Sequence, residues 1–208
     1  MHIKRFTYGI CHANSYIVFD EETRNAIMFD SCGCNDKILN YLNDNNIVLK
    51  GILLTHGHFD HIDGIGELKN STGADIYIFA DEEVFLGNAD LNLSDNKVFL
   101  DNAITKADYL LNDGETILIG GIEVRVIHTP GHTSGSVCFM CGGCIFSGDT
   151  LFKGSIGRFD FPTGDGFTEI RSIKEKLLVL NDDTKVYPGH GFSTTIGKER
   201  EENPYLCG

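Results

Sequence analysis

The run Leu53-Leu54-Thr55-His56-Gly57-His58-Phe59-Asp60-His61-Ile62-Asp63-Gly64 crowds three imidazoles and a carboxylate into the six positions from His56 to His61. It stands directly behind an apolar segment, Ile52-Leu53-Leu54, that reads as a buried strand. Imidazole and carboxylate at this density suit Zn, Fe or Mn. In extended chain, side chains at i and i+2 point the same way, so His56 and His58 can share one ion. A helix starting at Ile62 would then swing Asp60 and His61 away toward a second ion. A helical zinc motif would space its two histidines four apart, so this cluster is built for a strand end. One histidine behind a strand is commonly a cap or a core residue. Three with an aspartate have no packing rationale, and metal binding is the reading.

Working outward, three later stretches share one design, a candidate ligand where an apolar run gives way to a glycine-flanked turn. They are Val126-Ile127-His128-Thr129-Pro130-Gly131-His132-Thr133, Ile145-Phe146-Ser147-Gly148-Asp149-Thr150 and Val186-Tyr187-Pro188-Gly189-His190-Gly191. Glycine lets the backbone turn tightly beside each ligand. If these strands end on one edge of a sheet structure, His132, Asp149 and His190 converge on the first cluster. Taken singly, each is merely a turn.

The remaining pattern supplies such strands. Residues 3–8, 15–19 and 25–29 read as strands, the last two joined by the turn Asp20-Glu21-Glu22-Thr23. A helical period over 35–46 is followed by a strand at 51–54, a helix over 62–70, a strand at 75–79 and a helix near 81–86. From Gly87 to Gly114 the pattern weakens into an expected surface excursion bordering the substrate. Hairpins follow, 116–119 with 123–127 across Gly120-Gly121, and 136–141 with 144–147 across Gly142-Gly143. Phe167, Ile170, Ile173, Leu177 and Leu180 mark an amphipathic helix. A strand at 185–187 and a helix over 196–202 close the chain. No linker divides it, so residues 1–208 read as one domain: two sheets with helices on their outer faces.

Composition narrows the function. A formal net charge of −13 over 208 residues argues against a nucleic-acid partner, because phosphate binding needs a positive footprint. No apolar run approaches a membrane span, and the N-terminus lacks the apolar core of a secretory signal. Seven cysteines without framework spacing point to a reducing, cytoplasmic compartment.

With these residues in view, the sequence resembles the metallo-β-lactamase superfamily, matching His-x-His-x-Asp-His, then His, Asp and His, across nearly the whole chain. Gly148-Asp149-Thr150-Leu151-Phe152 and Gly157-Arg158 are similar to the hydroxyacylglutathione hydrolase (glyoxalase II) branch. Its short bacterial members share Leu151-Phe152-Lys153-Gly154-Ser155-Ile156-Gly157-Arg158 and Asn203-Pro204-Tyr205-Leu206. The resemblance implies an α+β fold, a four-layer αββα sandwich, with two divalent ions, zinc first and iron or manganese as alternatives. It implies His56, His58 and His132 on one ion, Asp60, His61 and His190 on the other, and Asp149 bridging both. Set beside full-length glyoxalase II proteins, the chain is expected to lack their additional C-terminal helical domain. It departs from them in placing Ser31-Cys32-Gly33-Cys34 after Asp30, where the family commonly has Pro-Gly.

The expected activity is thioester hydrolysis of hydroxyacylglutathione or a related small molecule. A metal-bridging hydroxide would attack the carbonyl, and the thiolate would leave with little acid assistance. Asp60 and Asp149 are the expected catalytic carboxylates. Arg158 is expected to anchor substrate carboxylate or amide, against the alternative of a surface pair with Asp160, and Lys153 is a second candidate. His12 lies in a loop ahead of a strand, His128 reads as structural and His2 as incidental. Cys138, Cys141 and Cys144 do not read as a zinc knuckle, because Cys138 and Cys141 face opposite sides of one strand. The main rival is an Fe(II) persulfide dioxygenase-like oxidoreductase, whose Gly-Arg-x-Asp-Phe run Gly157-Arg158-Phe159-Asp160-Phe161 also fits. Lactone or ester hydrolysis in the same superfamily, and a non-catalytic metal-binding role, are further alternatives. Flavodiiron chemistry is disfavoured by His58, where that branch has Glu.

Overall fold

In the computed structural model, which describes residues 1–94 and 104–207, β1 (His2–Tyr8), β2 (Ala13–Phe19) and β3 (Asn25–Phe29) form an antiparallel meander. The short β4 (Ser31–Cys32) and α1 (Asn35–Asp44) lead to β5 (Val48–Leu54), which pairs parallel with β3. Helices α2 (Phe59–Ile62) and α3 (Ile65–Thr72) precede β6 (Asp75–Phe79), which pairs parallel with β5. After α4 (Glu83–Leu86) and α5 (Ala89–Asn92), β7 (Tyr109–Leu111) completes the sheet, in the order β1-β2-β3-β5-β6-β7.

The second sheet is ordered β15-β14-β11-β10-β9-β8. Its strands β8 (Thr116–Ile119), β9 (Ile122–His128), β10 (Val137–Cys141) and β11 (Cys144–Gly148) run antiparallel, the two expected hairpins included. A small ribbon, β12 (Leu151–Phe152) and β13 (Ser155–Ile156), and helix α6 (Gly166–Ser172) follow. Strand β14 (Lys185–Pro188) adds parallel to β11, then β15 (Thr194–Thr195) and α7 (Ile196–Glu202).

Three apolar layers hold these elements together. Strand β2 is buried along its whole length, and its alternation splits it: Tyr16 and Val18 face the second sheet, Ile17 the helices. Between the sheets, Phe29 stacks on Phe146 at 4.0 Å, among Leu53, Val126 and Phe139. Outside the first sheet, Ile52, Leu54 and Ile76 meet Ile38, Leu42 and Leu68 of α1 and α3. Outside the second, Ile145 and Val186 meet Ile173, Leu177 and Ile196. Each such side chain withdrawn from water contributes about 1.5–3 kcal/mol, which makes the burial pattern the main constraint on register. The result is the αββα sandwich of the metallo-β-lactamase fold. Among the described residues, no helix is long and apolar enough to cross a membrane.

Three expectations need correction. The helix over 62–70 is two helices, α2 and α3, broken where the backbone leaves to pair with β4 (Ser31 with Ile62, Cys32 with Asp63). Gly64, at φ +71, closes the break against the Asn35 amide, where a Cβ would lie 2.4 Å from Nδ2. Asp60 and His61 therefore sit inside a helical turn rather than ahead of one. The helix marked from Phe167 runs on as a wider turn over Ile173–Leu177, with Leu178 N–H bonded to the Ile173 carbonyl at 2.9 Å. Its register buries Ile173 and Leu177 and leaves Phe167 exposed. Finally, the excursion from Gly87 to Gly114 contains α5 and β7, and its residues 95–103 lie outside the described residues.

Candidate metal centre

The ligand-bearing loops leave the strands on one edge. Strand β5 delivers His56 to His61, and the turns after β9, β11 and β14 deliver His132, Asp149 and His190. The two sheets are tied there directly. Val137 N–H donates to the Thr55 carbonyl at 2.9 Å, and Asn14 N–H to that of Gly189 at 2.7 Å. At two positions glycine is required by close approach. A Cβ on Gly148 (φ +48) would lie 2.3 Å from Thr55 Oγ1, and one on Gly189 would lie 2.2 Å from Asp149 Oδ1 and 2.6 Å from His61 Cε1.

Among the described residues, three groups have donor atoms within 4.8 Å of one another: His56, His58 and His132; Asp60, His61 and His190; and His56, His61 and Asp149. His58 Nδ1 lies 2.9 Å from His132 Nε2, and His61 Nε2 lies 3.3 Å from His190 Nε2. Asp149 stands between the sets, its oxygens 3.3 Å from His61, 3.6 Å from His132 and 3.4 Å from His190. Asp60 Oδ2 is 3.3 Å from His190 Nε2. Sequence reading thus named all seven of the residues that the fold brings together.

The second ring nitrogens show why the donors point inward. His61 Nδ1–H donates to Asp30 Oδ2 at 2.9 Å, His132 Nδ1–H to the Arg158 carbonyl at 2.6 Å, and His190 Nδ1–H to the Cys11 carbonyl at 3.0 Å. Carbonyl and carboxylate oxygens can only accept, so each of these rings turns Nε2 toward the centre. Thr55 Oγ1 donates to Asp30 Oδ2 and lies 3.1 Å from His56 Nδ1, which aims His56 Nε2 the same way. His56 Nε2, His58 Nε2 and Asp149 Oδ1 are buried without a hydrogen-bond partner. Orphaned buried donors of this chemistry fit divalent cations.

The electrostatics separate the two sets. Burial, with the neighbouring imidazoles, holds His56 well below its ordinary value and takes His58 to about 3; burial also lowers His132. These rings stay neutral, as ligands must. Burial opposes the charge on His61 and His190 too, yet the carboxylates win. Asp149, Asp60 and Asp30 hold His61 well above the usual range, and hydrogen bonds to Asp149 and Asp60 carry His190 to about 10. Against burial, His61 and His190 in turn hold Asp149 and Asp60 low.

Two supporting residues escaped the sequence reading. Asp30, at φ +55 and buried, accepts from Thr55 N–H and Thr55 Oγ1 as well as His61. Its signal was an aspartate closing an apolar strand. Glu82, fully buried ahead of α4, accepts from Gly57 N–H at 2.8 Å with one oxygen, and from Thr133 Oγ1 at 2.6 Å and Gly135 N–H at 3.0 Å with the other. It clamps the first cluster to the His132 loop, and no local pattern announces it.

A cavity of about 400 Å³ opens over the centre, walled by Cys11, Leu93, Phe152, Ile156, Arg158 and Phe161 beside the ligands. Arg158 lies on its rim, bidentate to Asp160 at 2.9 and 2.8 Å and 4.2 Å over the Phe161 ring, so the surface-pair alternative is the geometry seen. Lys153 is exposed in the β12–β13 turn, and its neighbours Phe152 and Ser155, rather than Lys153, line the cavity. His12 is exposed beside Cys11. His128 stacks on Phe79 and donates to the Ser134 carbonyl at 2.9 Å, a structural role. Cys138 packs outside the second sheet and Cys141 inside it, with Cys141 opposite Cys144 across the hairpin.

The chain belongs to the metallo-beta-lactamase superfamily, whose sequence profile matches residues 8–190. It is 37% identical to the hydroxyacylglutathione hydrolase GloC of Haemophilus influenzae, over 93% of this chain and 92% of that protein. Among solved structures it is similar to the BLEG-1 B3 metallo-beta-lactamase, with a TM-score of 0.94 and 34% identity over the full length of both chains. It is also similar to TTHA1623 in a di-iron-bound form, with a TM-score of 0.86 and 32% identity over 98% of this chain and 100% of that one.

Proposed function

We propose that this metal-dependent hydrolase is a glyoxalase II-like thioesterase, acting on hydroxyacylglutathione or a related thioester. The observation that carries the reading is the convergence of seven donors from both sheets, with His56 Nε2 and Asp149 Oδ1 unpartnered, beneath an open cavity. In this reading His56, His58 and His132 hold one ion, Asp60, His61 and His190 the other, and Asp149 touches both. Bound divalent ions, zinc, iron or manganese by the chemistry of the donors, would supply a hydroxide at neutral pH and Lewis acidity toward a carbonyl.

The chain's own residues do the rest. Asp30, the Arg158 carbonyl and the Cys11 carbonyl keep protons on the outward nitrogens of His61, His132 and His190, so no inward nitrogen needs to lose its aim during turnover. Asp60 and Asp149 face the cavity and offer acceptor oxygens to an entering water. Phe152, Ile156 and Phe161 shed water from the acyl and thiol portions of a substrate. A departing thiolate needs no proton, which matches walls that present few acids. Arg158, on the rim, is the side chain placed to meet a substrate carboxylate, at the cost of its pair with Asp160.

The likeness to BLEG-1 supports β-lactam hydrolysis as a second reading, since both reactions begin with attack on an acyl carbonyl. One experiment tests both: elemental analysis of the protein as isolated, beside S-lactoylglutathione and nitrocefin assays with and without oxygen. The proposal expects about two metals per chain and oxygen-independent thioester cleavage. Oxygen consumption on a persulfide substrate with a single iron, or nitrocefin turnover without thioesterase activity, would overturn it.

A further inference from the structure

The run Ser31-Cys32-Gly33-Cys34, which the thioesterase reading leaves unused, forms a pair of facing thiols. Cys32 ends β4 and Cys34 stands at the head of α1, with their sulfurs 3.5 Å apart. Gly33 between them takes φ +75, and a Cβ there would lie 2.2 Å from Asp63 Oδ2, so only glycine brings the two cysteines round this tightly. A disulfide needs about 2.05 Å between sulfurs, so the pair must close by roughly 1.5 Å. Both side chains are buried, at 3% and 5% exposure, but a separate cavity of about 250 Å³, bounded by Tyr8, Gly33, Cys34, Lys37 and Glu67, reaches Cys34 from solvent. Packing alone would be served by one sulfur and one methyl; two sulfurs in contact beside an opening have chemistry to do.

The segment is joined to the metal centre at both ends. Asp30, which holds His61 and Thr55, immediately precedes β4. Strand β4 itself bridges Ile62 and Asp63, directly after Asp60 and His61, and Ser31 Oγ donates to the Asp63 carbonyl. Cys32 N–H is fixed to Ser15 Oγ at 2.9 Å. Drawing Cys32 toward Cys34 therefore pulls on the strand that positions two ligands.

We propose that Cys32 and Cys34 are a peroxide-oxidised dithiol switch whose disulfide loosens the Asp60–His61 half of the metal centre. One thiolate attacks hydrogen peroxide, forming a sulfenic acid and releasing water. The second thiol then displaces a second water to form the S–S bond. In sum, two thiols lose two electrons and two protons, and one peroxide becomes two waters. The loosening, not the disulfide, rests on the two-metal reading.

The test treats the metal-loaded protein with hydrogen peroxide, with and without later dithiothreitol, and maps its cysteines by mass spectrometry under non-reducing conditions. A Cys32–Cys34 linkage is expected, 2 Da lighter and reversible. With it, hydrogen exchange over residues 59–64 and metal loss to a chelator should rise about tenfold, the scale of outer-shell effects on metal affinity. The Cys34→Ser variant keeps Cys11 and should show none of these changes. If exposed Cys207 oxidises while no Cys32–Cys34 linkage appears, the dithiol is refuted. If the linkage forms and exchange over 59–64 is unmoved, or Cys34→Ser responds as the parent does, the switch is refuted. Elemental analysis of untreated protein judges the two-metal reading separately.

Discussion

Replacing Glu82 by Gln should change the stability of the apo-protein in a way that depends on pH. The carboxylate accepts three hydrogen bonds at 2.6–3.0 Å, two of them from the backbone N–H groups of Gly57 and Gly135 on ligand loops. A glutamine keeps one acceptor oxygen and turns an amide N–H₂ toward one of those donors. Relative to the carboxylate, one buried N–H is then unpaired, at about 1–3 kcal/mol, and a donor faces a donor, as the O–H of the protonated acid also would. Against this, burial raises the Glu82 carboxyl from 4.5 to about 7. Below pH 4.5 the acid is protonated in both folded and unfolded chains and costs nothing. As pH rises to 7 the unfolded chain gives up this proton first, so the folded wild type loses about 3 kcal/mol, a penalty glutamine never meets. Urea denaturation of both proteins with chelator at pH 4.5, 6 and 8 measures this. The two proteins should differ little at the lowest pH, where folded Glu82 is itself protonated, and the variant should lead by roughly 3 kcal/mol by pH 8. A difference that stays constant, or a wild-type lead that grows with pH, would refute the reasoning. Metal affinity of the variant should also fall 10- to 100-fold, since Glu82 clamps both His-bearing loops.

Asp149→Ala or His58→Ala should abolish thioesterase activity and the corresponding metal occupancy while leaving the fold largely intact by circular dichroism; full activity in either would contradict the assignment. Arg158→Ala should raise KM severalfold with kcat nearly unchanged, because the side chain sits on the rim and is 66% exposed; an unchanged KM removes it from the site. Loading metal at neutral pH should release protons from His61 and His190, both raised by their carboxylates. Apparent affinity should therefore climb with pH from the ordinary histidine range toward the 10 of His190, and the stabilisation those charged imidazoles give the apo-protein should fade over the same interval. A pH-independent affinity between 6 and 9, by calorimetry in buffers of different ionisation enthalpy, would contradict this.

Much of the centre was legible because its donors sit where apolar strands stop, a boundary that hydropathy marks directly. Histidine and aspartate have no packing reason to gather there. The hairpins were legible through paired glycines, and α1 through its period. The break between α2 and α3 was hidden because it depends on β4, a partner far away in sequence. Local periodicity cannot register that the backbone at Ile62 and Asp63 pairs with Ser31 and Cys32. Glu82 was hidden for the same reason, since an acid beside another acid, Asp81, looks like a helix start until Gly57 and Gly135 arrive. Gly189 was noticed for the wrong cause. It spares room for Asp149 and His61 rather than adopting an unusual backbone.

The donors are divided between the halves of the sandwich: His56 to His61 hang from the first sheet, and His132, Asp149 and His190 from the second. Ions held among them would rivet one half to the other at a single edge, while the far edge is joined by apolar contact and by the Asn25 amide on the Gly120 carbonyl. Stripped of its ions, the molecule keeps that side joined through the Val137–Thr55 and Asn14–Gly189 hydrogen bonds and the Glu82 clasp, so loading would tighten an edge that is already closed.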